Sequence, residues 1–141
     1  MELAEMVASW SKDPSKKVGA VIVSIENNGI VSTGFNGFPA KCEDREERLN
    51  DRETKLLFTV HAEMNAILAA RGANLRMCVM YSTLFPCANC MAAIAQSGIR
   101  TVVTYKPMYY NPSWEIHFEV ARDIAKECGI NLIEIKNDTN G

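Results

Sequence analysis

Several features of membrane, secreted and nucleic-acid-binding proteins are missing from this 141-residue sequence. No apolar run approaches the roughly 18 residues that a membrane span requires. The opening segment, MELAEMVASW, contains no basic stretch of the kind that begins a signal peptide. The net charge is −2 and the pI about 5.7, so the chain offers no general positive field for a polyanion such as tRNA or duplex DNA. These absences favour a cytoplasmic protein that acts on small molecules and has no membrane partner.

Few of the cysteines are spaced as a pair. The chain has five cysteines, an odd number that argues for reduced thiols in the absence of a secretion signal. Only Cys87 and Cys90 form a C-x-x-C pair, which in a reducing compartment is typical of metal or redox chemistry. The remaining thiols of Cys42, Cys78 and Cys128 lie outside any such spacing.

The length and the hydrophobic pattern predict one domain over 1–141, with a frayed tail over about 136–141. A helical pattern over 2–11 is followed by two β-branched segments, VGAVIVSI and IVSTGF, which flank a turn containing Asn-Gly and therefore predict an antiparallel hairpin. After residue 60, helical and strand patterns alternate. The predicted order is helix 61–70, strand 77–83, helix 88–97, strand 100–105, helix 113–127 and strand 130–135. This alternation predicts an α/β fold with a mixed, five-stranded sheet and helices on both faces.

Reactive side chains interrupt two apolar segments, VHAEMNAI (60–67) and TLFPCANC (83–90). Cys87 and Cys90 share one helical face, and His61 begins the other helix. Because both helices adjoin strands of one sheet, their N-termini can converge at one edge. One histidine and two cysteines are the ligands of a catalytic zinc site, which leaves a fourth position for water. Glu63 is the candidate to carry protons beside it. The alternative is a buried polar cluster or a structural zinc site.

The combination of H-A-E with P-C-x-x-C is the signature of zinc nucleobase deaminases. More closely, the chain resembles the deoxycytidylate (dCMP) deaminase family from about residue 3 to residue 135. The matching segments, in order, are SKDPSKKVGAVIV, STGFNGFP, RLNDRETK, VHAEMNAI, TLFPCANC and QSGIRTVV. The resemblance implies a cytidine-deaminase-like, three-layer αβα sandwich, with His61, Cys87 and Cys90 as ligands of Zn²⁺ and Glu63 as proton shuttle. It implies hydrolytic deamination of dCMP to dUMP and ammonia, which supplies thymidylate synthesis.

The resemblance also suggests where the substrate binds. An asparagine after the second strand holds the nucleoside in this superfamily, basic residues could close over the phosphate, and two aromatic residues could wall the base. The expected contacts are Asn36, Lys17, Arg48, Arg52, Lys55, Tyr105 and Trp114. The alternatives are a turn residue for the asparagine, a solvated charged helix for the basic loop, and core packing for the aromatics.

Two other functions stay open at this stage. One is a tRNA or single-stranded nucleic-acid deaminase with the same motif, against which the acidic pI counts. The other is a catalytically silent zinc-binding assembly subunit, against which the intact Glu63 counts. The resemblance further implies a homo-oligomer, a hexamer or a dimer-based assembly, and makes dCTP and dTTP candidate effectors.

Overall fold

The structure of the protein is a computed structural model that describes residues 1–107 and 112–137. The helices are α1 (Glu2–Ala8), α2 (Glu46–Leu49), α3 (Arg52–Phe58), α4 (Ala62–Ala69), α5 (Ala88–Ser97) and α6 (Pro112–Glu127). The strands are β1 (Gly19–Ser24), β2 (Ile30–Phe35), β3 (Cys78–Ser82), β4 (Thr101–Tyr105) and β5 (Asn131–Ile135).

The strands form one five-stranded sheet in the order β2-β1-β3-β4-β5. Strand β1 runs antiparallel to both of its neighbours, whereas β3, β4 and β5 are parallel. Gly19 at the start of β1 pairs with Phe35 at the end of β2, and Ala20 pairs with Ser82 at the end of β3. The start of β1 and the ends of the other strands therefore lie together, at what we call the site edge. The predicted mixed sheet is confirmed.

Side chains alternate between two cores, one on each face of the sheet. On one face, Ala4 and Val7 of α1 pack against Val21. On the other face, α4, α5 and α6 pack against the sheet through a larger apolar cluster. Its members include Ala20, Ile22, Met80, Val102, Ala62, Ala66, Met91, Ile94, Ala121 and Ala125. Because helices pack against both faces of the sheet, the described chain forms the predicted three-layer αβα sandwich.

Two glycines allow helices to approach the sheet closely. A Cβ atom on Gly34 of β2 would lie 2.4 Å from the carbonyl oxygen of Ala62 and from the backbone nitrogen of Ala66, both in α4. A Cβ atom on Gly19 of β1 would lie 2.1 Å from the carbonyl oxygen of Ala4 in α1. No side chain fits at such distances, so the backbones of α1 and α4 rest directly on the strands.

The clearest difference from the predicted boundaries is at the end of the first helix. Helix α1 ends at Ala8 rather than near residue 11, because the Ser9 hydroxyl donates to the Met6 carbonyl at 2.5 Å and Trp10 turns away to pack edge-on against Phe35. The polar loop before residue 60 contains two short helices, α2 and α3. Residues 138–141 of the predicted tail lie outside the described residues. Within the described ranges, no helix has the length and apolar character to cross a membrane.

Candidate active site

His61, Cys87 and Cys90 meet at the site edge. Their ligand atoms all lie within 4.8 Å of one another. The Nδ1 atom of His61 lies 3.2 Å from the Cys90 Sγ and 3.6 Å from the Cys87 Sγ. These distances are close to the roughly 3.5 Å that separates nitrogen and sulfur ligands of a tetrahedral zinc ion. The donor types and their spacing therefore fit zinc.

The ends of two helices hold the three donors in place. His61 occupies the N-cap position of α4, where its backbone is extended. Cys87 occupies the N-cap position of α5, and its Sγ accepts the backbone N–H of Cys90. Pro86 precedes this cap, as the sequence pattern predicts for a helix start. Both cysteines are buried whereas His61 is exposed, so the group opens to solvent on the histidine side.

The pKa values of the two thiols are shifted in opposite directions. A hydrogen bond from Cys90 lowers the pKa of Cys87 to about 4, and the His61 ring contributes to the same shift. The pKa of Cys90 is raised for the converse reason, with burial adding to the effect. The hydrogen bond to Cys87 also raises the pKa of His61. Cys87 is therefore the thiol that ionises more readily, and a bound metal ion would displace the proton of Cys90.

Glu63 lies in the first turn of α4, and only 4% of its surface is exposed. Burial raises its pKa to about 7, although its own backbone N–H and the nearby His61 oppose the shift. It is not part of the metal-ligating group. A buried carboxyl group with a pKa near neutrality can take up and release a proton at physiological pH.

Asn36 follows the end of β2 and is buried at the site edge. Its Oδ1 accepts the backbone N–H of Val18 at 2.8 Å, and its Nδ2 donates to the Lys16 carbonyl at 2.8 Å. The Ser11 hydroxyl donates to its backbone carbonyl, also at 2.8 Å. Among the described residues, one Nδ2 hydrogen and one Oδ1 lone pair have no partner, so the amide can still contact a ligand.

The predicted basic contacts separate into two groups. Lys55 is buried and forms an ion pair with Asp13, while the Arg48 guanidinium lies 4.5 Å from the centre of the Phe58 ring and donates to the Glu43 carbonyl. By contrast, the exposed side chains of Lys17 and Arg52 make no hydrogen bond or ion pair within the described parts of the chain. The structure therefore leaves two of the four cations available and occupies the other two with protein partners.

The two predicted aromatic walls are not brought to the metal-ligating group by any contact among the described residues. The Tyr105 hydroxyl donates to Glu5 of α1, which places this side chain on the α1 face of the sheet. Trp114 of α6 stacks on Phe118, with ring centroids 6.2 Å apart, and also contacts His117. Their role as base walls stays a prediction.

Sequence reasoning missed Asp13, which joins the site edge to α3. Asp13 Oδ1 accepts the backbone N–H groups of Ser15 and Lys16 at 2.8 and 3.1 Å, an arrangement typical of an aspartate that begins a turn. The Asp-Pro-Ser segment could have indicated this turn. Nothing in the sequence pattern indicated its pairing with Lys55.

A sandwich with a His-Cys-Cys group at two helix N-termini, beside a buried glutamate, defines the class of zinc-dependent nucleobase deaminases. The protein-family model of the cytidine and deoxycytidylate deaminase zinc-binding region matches residues 1–106. The chain belongs to this family.

Individual relatives agree with this assignment. The chain is 43% identical over 134 residues to an uncharacterized deaminase in the luxG 3' region of Aliivibrio fischeri, covering 93% of this chain and 87% of that protein. It is 41% identical over 137 residues to deoxycytidylate deaminase of Mus musculus, covering 94% and 75%. The structure of dCMP deaminase from cyanophage S-TIM5 in complex with dCMP and dUMP aligns with a TM-score of 0.72 and 24% identity, covering 95% and 92%. At that identity, the structural match supports the fold alone.

Proposed function

We propose that this protein converts dCMP and water to dUMP and ammonia, with His61, Cys87 and Cys90 holding zinc and Glu63 moving protons. The observation that carries the proposal is a three-donor group, open on one side, next to a buried carboxyl group with a pKa of about 7. The choice of dCMP rests on the relatives, since the mouse protein is named deoxycytidylate deaminase and the cyanophage enzyme was solved with dCMP and dUMP.

The protein groups divide the chemistry between them. A zinc ion bound by the three donors would lower the pKa of its water toward about 7. Water adds to C4 of the cytosine while Glu63 takes one of its protons and delivers it to N3. The same carboxylate then moves the second proton to the C4 amino group, which leaves as ammonia. Burial of Glu63 suits it to this task, because a pKa near neutral pH lets the carboxyl group both accept and release a proton.

The substrate binds to predicted contact residues whose side chains still have a hydrogen-bonding atom or a charge without a protein partner. We assign the nucleoside to the Asn36 amide and the phosphate to Lys17 and Arg52, the two of the four predicted cations whose side chains have no protein partner among the described residues. Arg48 could join them only by leaving the Phe58 ring. This assignment explains how an acidic protein can bind an anion, since a mononucleotide needs only local positive charge.

We further propose that the chain works as a homo-oligomer. Helices α3 and α4 expose large apolar side chains, with Leu57 88% exposed, Leu68 64% and Leu56 57%. Side chains of this kind on neighbouring helices are typical of a surface that another subunit covers. Light scattering on the purified protein measures the assembly, and a monomer at all concentrations would contradict this part of the proposal.

The activity test compares three nucleotides and one nucleoside on zinc-loaded protein. Ammonia release and absorbance loss are followed with dCMP, CMP, deoxycytidine and dCTP, and dCTP and dTTP are then added as candidate effectors of dCMP turnover. Glu63→Gln should lower turnover by about 10² to 10⁴-fold while zinc is retained. The matched control is Glu53→Gln, because Glu53 also lies in the first turn of a helix but is exposed. Absence of dCMP turnover, or full activity of Glu63→Gln, would contradict the proposal.

A further inference from the structure

Asp13 and Lys55 form an ion pair that is more buried than the other ion pairs of the described residues. The Lys55 Nζ lies 3.1 Å from Asp13 Oδ1, and the two side chains are only 9% and 10% exposed. Removing two charges from water is expensive, and a buried ion pair is therefore weak evidence for added stability. Its location beside the site edge suggests that it serves the site.

On one side, the pair fixes the turn that supports Asn36. Asp13 Oδ1 accepts the N–H groups of Ser15 and Lys16 in addition to the Lys55 ammonium. The same turn supplies the Lys16 carbonyl and the Val18 N–H that hold the Asn36 amide. A change at the ion pair would therefore displace the turn, and the turn would displace the Asn36 amide to which it is hydrogen-bonded.

On the other side, the pair fixes the helix that leads to the metal-ligating group. Lys55 is the buried residue of α3. Its carbonyl accepts both the N–H and the hydroxyl of Thr59, at 3.0 and 2.6 Å. Val60 then exchanges two backbone hydrogen bonds with Gly37 and is followed directly by His61. The pair thus connects the segment before β1 with the segment that ends at His61.

We propose that Asp13 and Lys55 are a positioning pair: their buried contact holds the 13–18 turn against α3, so that the Asn36 amide and Lys17 face the substrate in a fixed arrangement. Lys55 then acts on the substrate through Asp13 and Asn36 and does not bind the phosphate. This inference rests on the proposed function for the identity of the substrate. The lowered pKa of Asp13 agrees with it, because the hydrogen bonds and Lys55 outweigh the effect of burial and keep the carboxylate charged.

Three substitutions test separately the negative charge of Asp13, its hydrogen-bond acceptor and the ammonium group of Lys55. Asp13→Asn keeps an oxygen that can accept the two N–H groups but removes the charge. Asp13→Ala removes both, and Lys55→Met removes the ammonium while keeping most of the apolar stem. The matched control is Asp44→Asn, which breaks the exposed 3.0 Å ion pair with Lys12 in the same segment. We expect kcat/KM for dCMP to fall most in Asp13→Ala, to fall less and equally in Asp13→Asn and Lys55→Met, and to be unchanged in the control.

The kinetic readout distinguishes positioning from direct phosphate binding. In a positioning role, Lys55→Met and Asp13→Asn should each lower kcat/KM for dCMP by about 10- to 100-fold, mainly through KM, with full zinc content. KM for deoxycytidine should rise in parallel, because Asn36 contacts the nucleoside. The double variant should be no worse than either single one, as expected for partners of one interaction. A KM increase that is confined to dCMP and to Lys55→Met would instead show a phosphate ligand and would overturn the proposal.

A second readout does not depend on activity. Amide hydrogen exchange at Ser15, Lys16 and Val18 should be about tenfold faster in Lys55→Met than in Asp44→Asn, because the turn opens locally. Equal exchange, or variants with lower stability but unchanged KM, would overturn the positioning role. If the parent enzyme does not turn over dCMP, the proposed function fails, while the exchange measurement still tests whether the pair holds the turn.

Discussion

Gly34→Ala is expected to displace the helix that carries His61 and Glu63. The added Cβ would lie 2.4 Å from the Ala62 oxygen and the Ala66 nitrogen, whereas ordinary contact begins at 3.4 Å. These neighbours are backbone atoms and cannot rotate aside. Helix α4 must therefore retreat by about 1 Å, and an overpacked core of this kind costs about 1–3 kcal/mol. For a chain of this size, that corresponds to a Tm lower by about 4 °C per kcal/mol.

The same movement should reach the chemistry, because Ala62 lies between His61 and Glu63 in the chain. Misplacement by about 1 Å can lower activity by roughly 10²-fold. Urea unfolding, zinc content and dCMP turnover of Gly34→Ala should be compared with Gly37→Ala, where a Cβ meets no atom within 4 Å. If the two variants are equally stable and equally active, the close contact between β2 and α4 does not position the site.

Three further predictions concern acid stability, metal uptake and the core. Although burial raises the pKa of Asp13, its hydrogen bonds and Lys55 lower that pKa below 3.8 overall. The stabilisation that the Asp13 carboxylate provides is therefore complete above about pH 4 and is lost as the pH falls through the folded-state pKa. Urea unfolding curves of Asp13→Asn and of the parent protein should accordingly converge in acid. Zinc uptake at pH 7 should release about one proton or more, chiefly from Cys90. Calorimetry in buffers of different ionisation enthalpy measures the number of protons released, and Cys90→Ser should reduce that number. Phe85→Ala should cost about 3–5 kcal/mol in urea unfolding, because Phe85 is 2% exposed and packs 5.1 Å from the Phe118 ring; a loss under 1 kcal/mol would contradict this packing.

The sequence predicted the helix and strand order because local signals mark each element. Helix α5 spans residues 88–97 as predicted, since Pro86 precedes its cap and Gly98 ends it with φ of 94°. The Asn-Gly turn between two β-branched segments likewise predicted the antiparallel pairing of β1 and β2. Helix α1 was placed too long, because the apolar Trp10 fits a helical pattern although it packs against Phe35 beyond the helix end.

The metal-ligating group was predictable for a different reason. Histidine and cysteine have few roles in an apolar segment, and sheet topology brings the starts of their helices to one edge. Charged loop residues have many roles, and their type alone does not separate these roles. Lys17 and Lys55 are both lysines near the same edge, yet one is exposed and the other has its ammonium buried against Asp13.

The difference between these two lysines follows from partners that are distant in sequence. Lys55 lies 42 residues from Asp13, and its burial depends on α3 packing against the turn before β1. No periodicity within either segment encodes that contact. A basic residue near a proposed phosphate site is therefore a good candidate for the ligand only when no carboxylate from another segment reaches it first. By this criterion, Lys17 and Arg52 remain the phosphate candidates, Arg48 joins them only by leaving the Phe58 ring, and we assign Lys55 to the support that holds the site in place.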